Sequence, residues 1–204
     1  MSAITSESLG LDAWENFYVI VGSSAAALTG LTFIVITIAA DHRRGNSPEV
    51  RLTGLRAFIT PTVVYFVTVL WLSALMTVPG QTPLSLSACV ALSGVLGIAY
   101  CGRVIYWMFA VFSDYKPFLS DWIWNAILPP AAFALLTGAG LLGTSHTAFL
   151  LYAVGGVTLL LLLIGIHNAW DVVAWTTTER HARKGHESEA LSGVNPDGEN
   201  NRSP

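Results

Sequence analysis

His167 and Asp171 stand four residues apart near the end of a long leucine-rich run, so a helix would place them on one face and within reach of each other. An imidazole exchanges protons near neutral pH. A neighbouring carboxylate favours its charged form, and burial opposes it. Asn168 and Asn125 add neutral hydrogen-bonding groups, and Arg103 adds a fixed positive charge. Counted from the ends of the apolar runs, all five residues fall at one level, as do Pro61, Pro129 and Pro130. Ionisable residues inside apolar segments are costly and mark ion paths, proton relays and partner contacts. The chemistry on offer is electrostatic: attracting an ion, neutralising a charge, moving a proton. A plainer reading stands beside it. Arg103 snorkels to headgroups along its own stem, Asp171 marks a membrane boundary, and His167 and Asn168 bond neighbouring backbone.

Covalent chemistry has no comparable footing. The sequence holds no Gly-x-Ser-x-Gly elbow, no His-Glu-x-x-His pair and no phosphate loop. Ser145-His146 lacks a third partner and reads as a turn. His42 and His167 would be the pair to ligate a haem, but His42 sits beside Arg43 and Arg44 in a loop, and no cofactor is expected. Cys89 and Cys101 lie twelve residues apart on one predicted helix, about 18 Å. That exceeds disulfide reach, and neither a disulfide nor a metal site follows.

Five apolar stretches must position these residues: roughly 14–40, 52–78, 84–112, 122–143 and 147–178. Each is close to or above the ~20 residues a bilayer core requires. If all five span, every Lys and Arg falls on one side. Arg43, Arg44, Arg51 and Arg56 lie between the first two stretches, and Lys116 between the third and fourth. Arg180, Arg183, Lys184 and Arg202 follow the fifth, while Arg103 lies in the matching half of the third. The opposite connections and the N-terminus carry no Lys or Arg. Basic residues stay cytoplasmic, which puts the N-terminus outside and the C-terminus inside.

Composition agrees. Of 204 residues, 53% are hydrophobic and 11% charged, against about 25% charged in a soluble domain. A formal charge of −3, with no bases interleaved with aromatics, does not suggest a nucleic-acid partner, and none is expected. The expected fold is all-α: one bundle of five transmembrane helices over 14–178, a short outer segment at 1–13, and a polar tail at 179–204. The tail's 185–204 are rich in Gly, Ser, Asn, Glu and Pro and read as disordered. Residues 1–13 lack the basic start of a signal peptide.

Two helices carry small-residue stripes suited to close approach. Gly22, Ala26 and Gly30 repeat every four residues in the first, and Ser93, Gly97 and Cys101 share a face of the third. Both stripes fit packing inside one bundle or a seam between copies. Pro61, and the Pro129-Pro130 pair, remove backbone donors and predict kinks. No inverted repeat stands out.

The first helix, Asn16-Phe17-Tyr18-Val19 through Gly22-Ser23-Ser24-Ala25-Ala26-Ala27-Leu28-Thr29-Gly30-Leu31-Thr32-Phe33, and His167-Asn168-Ala169-Trp170-Asp171 near the end resemble a poorly characterised bacterial family. Its members are small multi-spanning proteins, sometimes labelled modulators of a membrane-bound AAA protease. The resemblance implies a bacterial inner-membrane protein with a regulatory role and assigns no catalytic residue.

Two functions are therefore expected, neither enzymatic. The first is a homo-oligomer that conducts or gates a small ion past Arg103, Asn125, His167, Asn168 and Asp171, with the prolines shaping a vestibule. The second is an accessory or regulatory subunit that works by helix contact with a partner membrane protein or protease.

Overall fold

The computed structural model describes residues 10–42, 48–111 and 122–192, with side chains over 10–35, 37, 60–107 and 123–171. Arg43, Arg44, Lys116 and Arg202, which bear on orientation, lie outside the described residues. All regular structure among those described is helical. A short 3-10 turn, Leu11–Trp14, leads into α1 (Glu15–His42). Then come α2 (Pro48–Met76), α3 (Pro83–Val111), a π-helical turn at Trp122–Ile127 continuing into α4 (Leu128–Leu142), and α5 (Thr147–Ser192).

Among the described residues, four helical segments are long and apolar enough to cross a membrane: Leu11–Val35, Pro83–Trp107, Ile123–Leu142 and Thr147–Asp171. In α2 the described apolar part is shorter, Thr60–Met76. Large apolar side chains such as Ile20, Leu31, Phe33, Leu96, Leu141 and Leu163 are exposed on the helices' outer faces, as lipid contact requires.

The chain divides into two compact units, Met1–Ala169 and Trp170–Pro204. In the second, the described structure is the C-terminal part of α5. That helix passes position 178, where the sequence pattern ended it, and runs to Ser192. The segment 179–192 is polar but holds one glycine and no proline, so helix propensity carries it on without an apolar face. The expected disordered tail is therefore helical over 179–192, and 193–204 lies outside the described residues.

Within the first unit α5 is central: 61% of its spanning window is buried, against 22–33% for the other three spans. Leu150, Val154, Val157, Leu161 and Ile164 are fully buried. They recur at alternating steps of four and three residues, the spacing of a helix seam. The neighbours of its N-terminal end come from the start of α1 and the turn before it. The rings of Trp14 and Tyr152 meet edge-on with centroids 5.1 Å apart, the Tyr18 hydroxyl donates to the Leu151 carbonyl at 3.5 Å, and Gly155 faces Trp14. Farther along, Gly165 lies against the Phe66 ring of α2.

Small residues set the remaining contacts. A Cβ on Gly97 would strike the Phe133 ring, one on Gly94 the backbone of α4 around Thr137, and one on Gly140 the backbone of Ala91. Thus α3 and α4 touch almost main chain to main chain, gaining dispersion contacts that lipid cannot supply. On α1 the buried face is Tyr18, Val21, Gly22 and Ala25, with Gly22 against Ser73 of α2. Ala26 and Gly30 are exposed, so the expected stripe divides: Gly22 packs within the bundle, and the other two face outward. The reason is helical drift, since steps of four advance about 40° around a 3.6-residue turn.

Several hydroxyls in these helices are satisfied locally, while the buried Ser73 and Ser87 hydroxyls meet no partner. Thr29, Thr32, Thr68 and Thr137 each donate to the carbonyl four residues earlier at 2.7–2.9 Å. Ser93 donates to the Cys89 carbonyl and accepts from the Trp71 indole at 3.1 Å, tying α2 to α3. Between those helices Gly80 takes the left-handed conformation at φ 69°. Thr82 then caps α3 reciprocally with Ser85, each side chain accepting the other's backbone N–H at 3.1 Å, with Pro83 in the first helical position.

Gly138 and Gly140 give a matched test. Gly140→Ala drives a methyl into Ala91 and should destabilise by about 1–3 kcal/mol, whereas Gly138, with nothing near its Cβ position, should accept alanine neutrally. Unfolding midpoints of the two variants in detergent check the difference, and equal midpoints would refute the α3–α4 packing.

Candidate functional site

The polar level predicted from sequence divides once side chains are placed. Asn168 takes the seam step after Ile164 and is 6% exposed. Its Oδ1 meets no hydrogen-bond donor. His167, one residue back, is half-buried, and its imidazole stacks on the Trp124 indole with centroids 4.1 Å apart and planes 26° off parallel. That contact fixes the π-helical turn beside α5, and Asn125, also half-buried, follows Trp124 within it.

Arg103 is elsewhere. Cys101 is buried, as are Gly97 and Gly94, and two residues carry a helix about 200° around its axis. Arg103 therefore lies on the outward face of α3 with exposed Leu96, Tyr106 and Trp107. Four residues before the end of its apolar span, it can reach headgroups along its own stem. Asp171 is exposed and belongs to the second unit. The unit that holds the seam thus gathers Asn168, His167, Trp124 and Asn125 around α5 and turns Arg103 outward.

The prolines also take different parts. Pro61 is buried inside α2, which continues through it, and buried Thr62 follows. Pro129 and Pro130 do not interrupt α4 but start it, directly after the π turn. The wider π register lets the chain enter a helix whose first turn lacks two N–H groups. Of the packing candidates, Gly97 lies under Phe133 and Ser93 bonds Trp71, both within the bundle.

Trp124 is the residue that sequence reasoning passed over. Its neighbour Asn125 drew notice for polarity, whereas a tryptophan near a span end reads as an interface anchor. Only the approach of α5 makes it a stacking partner.

Chemically, this set offers a neutral amide oxygen, a ring pair and a half-buried amide. Among the described residues no group of His, Cys, Asp and Glu is placed to hold a metal ion. No protein-family model matches the chain, and neither curated proteins nor solved structures provide a match.

A double-mutant cycle of Trp124→Ala and His167→Ala, read by reversible unfolding, should give a coupling of about 0.5–1.5 kcal/mol, the range for stacked ring pairs. Additive losses would mean that the two rings do not interact.

Proposed function

We propose that this chain is a non-enzymatic five-span membrane protein, N-terminus outside and C-terminus cytoplasmic, that acts by helix contact as an accessory or regulatory subunit of a partner membrane protein. The observation that carries the reading is the outward placement of Arg103, Ala26 and Gly30, while the seam between the helices is filled by Tyr65, Phe66, Phe133 and Leu161. Here the fixed charge and the small residues of α1 are on surfaces that another helix can reach, and small residues permit close approach. The basic side set out from the sequence supports the orientation. A bacterial inner membrane and a protease-like partner follow only from the family resemblance noted above.

A second reading draws on the same arginine. In a ring of copies, an outward face of one chain becomes a seam or a lumen wall, and Arg103 with Asp171 would then act on a passing ion.

Flux through liposomes separates the two. The contact reading expects purified, folded protein to pass no more Na⁺, K⁺, H⁺ or Cl⁻ than empty liposomes, at acid and neutral pH alike. It also expects a photo-crosslinker at Ala26 or Gly30 to join the chain to a different membrane protein in cells, and Gly30→Leu to abolish that adduct without lowering the unfolding midpoint. Flux whose ion selectivity changes with Arg103→Gln or Asp171→Asn would replace the contact reading with the conducting one.

A further inference from the structure

The seam of α5 is apolar at five successive steps and then meets an amide. Asn168 occupies a position that Leu, Val or Ile fills everywhere before it, and its Oδ1 is covered yet without a donor. A buried carbonyl oxygen in that state is costly, the more so among helices surrounded by lipid.

A second, independent feature lies at the same level. The Asn125 carbonyl would accept from residue 129 in an α-helix and from residue 130 in a π-helix. Both are proline and have no N–H, so neither register supplies its donor. Pro61 likewise removes the donor of the carbonyl four residues before it in α2. The Trp124–His167 stack holds the π turn level with Asn168. The contact of Phe66 with Gly165 puts Pro61 and Thr62, about one turn farther on, at that level too. Two neighbouring elements of one compact unit, α5 and the π turn, therefore bring oxygen acceptors whose usual donors are missing to one depth of the bundle, and the carbonyl that Pro61 releases, at residue 57, lies about a turn deeper.

Acceptors without donors suit a guest that is positively charged or rich in donors. The closure of Asn168 Oδ1 selects for size. A dehydrated sodium ion is smaller than a water molecule, and carbonyls freed where helices are broken are ligands that membrane proteins offer to Na⁺. We propose that Asn168 Oδ1 and the Asn125 main-chain carbonyl are ligands of a buried site for a small monovalent cation, with Na⁺ the ion that fits. The site stands apart from the contact reading: a bound ion would lock α5 and the π turn together whether or not a partner helix docks outside.

The test uses the full chain purified in detergent. Thermal midpoints are measured in sodium, potassium and choline chloride at equal ionic strength, alongside binding of radioactive Na⁺ by scintillation proximity. The expected result is a saturable rise in midpoint with Na⁺ over choline, with matching saturable binding. Asn168→Leu should abolish both. Asn168→Asp, which keeps an oxygen at the position and adds negative charge, should retain the Na⁺ dependence and shift it to lower concentration. Wild-type protein with equal midpoints in sodium and choline and no Na⁺ binding would overturn the proposal, with no variant needed. Na⁺ dependence that survives in Asn168→Leu would place the ion elsewhere and overturn it equally. An apolar variant more stable than wild type in every salt, with wild type blind to Na⁺, would leave Asn168 as an unpaired packing residue.

Discussion

Close approach of main chains is the constraint from which the rest of this bundle follows. Hydrophobic burial cannot hold helices together where the surroundings are as apolar as leucine, so contact area and dispersion must do so. Gly94, Gly97 and Gly140 bring α3 and α4 almost to backbone contact, Gly22 seats α1 on Ser73, and Gly165 admits the Phe66 ring. Once these surfaces meet, the buried side of each helix is decided. The position of every polar group relative to the core follows from it.

The helices keep their own hydrogen-bonding groups quiet, and that makes the exceptions informative. Threonine hydroxyls return to carbonyls one turn back, and the Thr82–Ser85 pair closes the start of α3. Buried Ser73 and Ser87 also carry a hydroxyl without a partner, but the proline-bearing level differs in what it adds to such a group. It combines a π turn, two adjacent prolines, a buried proline in α2 and an amide oxygen on the central seam without a donor. Natural sequences break local rules where function or specificity compensates. A buried Asn in a helix seam is also a known means of setting register, so the ion site and a purely structural use of Asn168 make opposite claims about sodium.

The split of the polar set changes how this protein is read. A sequence level containing Arg103, His167, Asn168 and Asp171 suggests one charged cluster. In the folded chain the core unit keeps Asn168 and the His167–Trp124 stack, and the arginine turns outward. Charge thus resides where headgroups or another protein can meet it, and the interior keeps groups suited to a small guest.

The sequence by itself determined the helical character of the described residues and their five helices, at nearly the bounds that hydropathy drew, because apolar length and local caps such as Thr82-Pro83 are properties of contiguous residues. It also determined that Asn125, facing two prolines, would lack a helical donor. It misplaced the end of α5, since a polar segment with good helix propensity resembles a disordered tail by composition alone. Tertiary structure decided which face of each helix is buried: that Gly22 packs while Gly30 does not, that Trp124 stacks on His167, and that Asn168 faces the core while Arg103 does not. Arg103 and Cys101 are two residues apart in the chain and on opposite sides of α3. Sequence spacing gives depth and relative angle along a helix, but only a neighbouring helix gives that angle an inside and an outside.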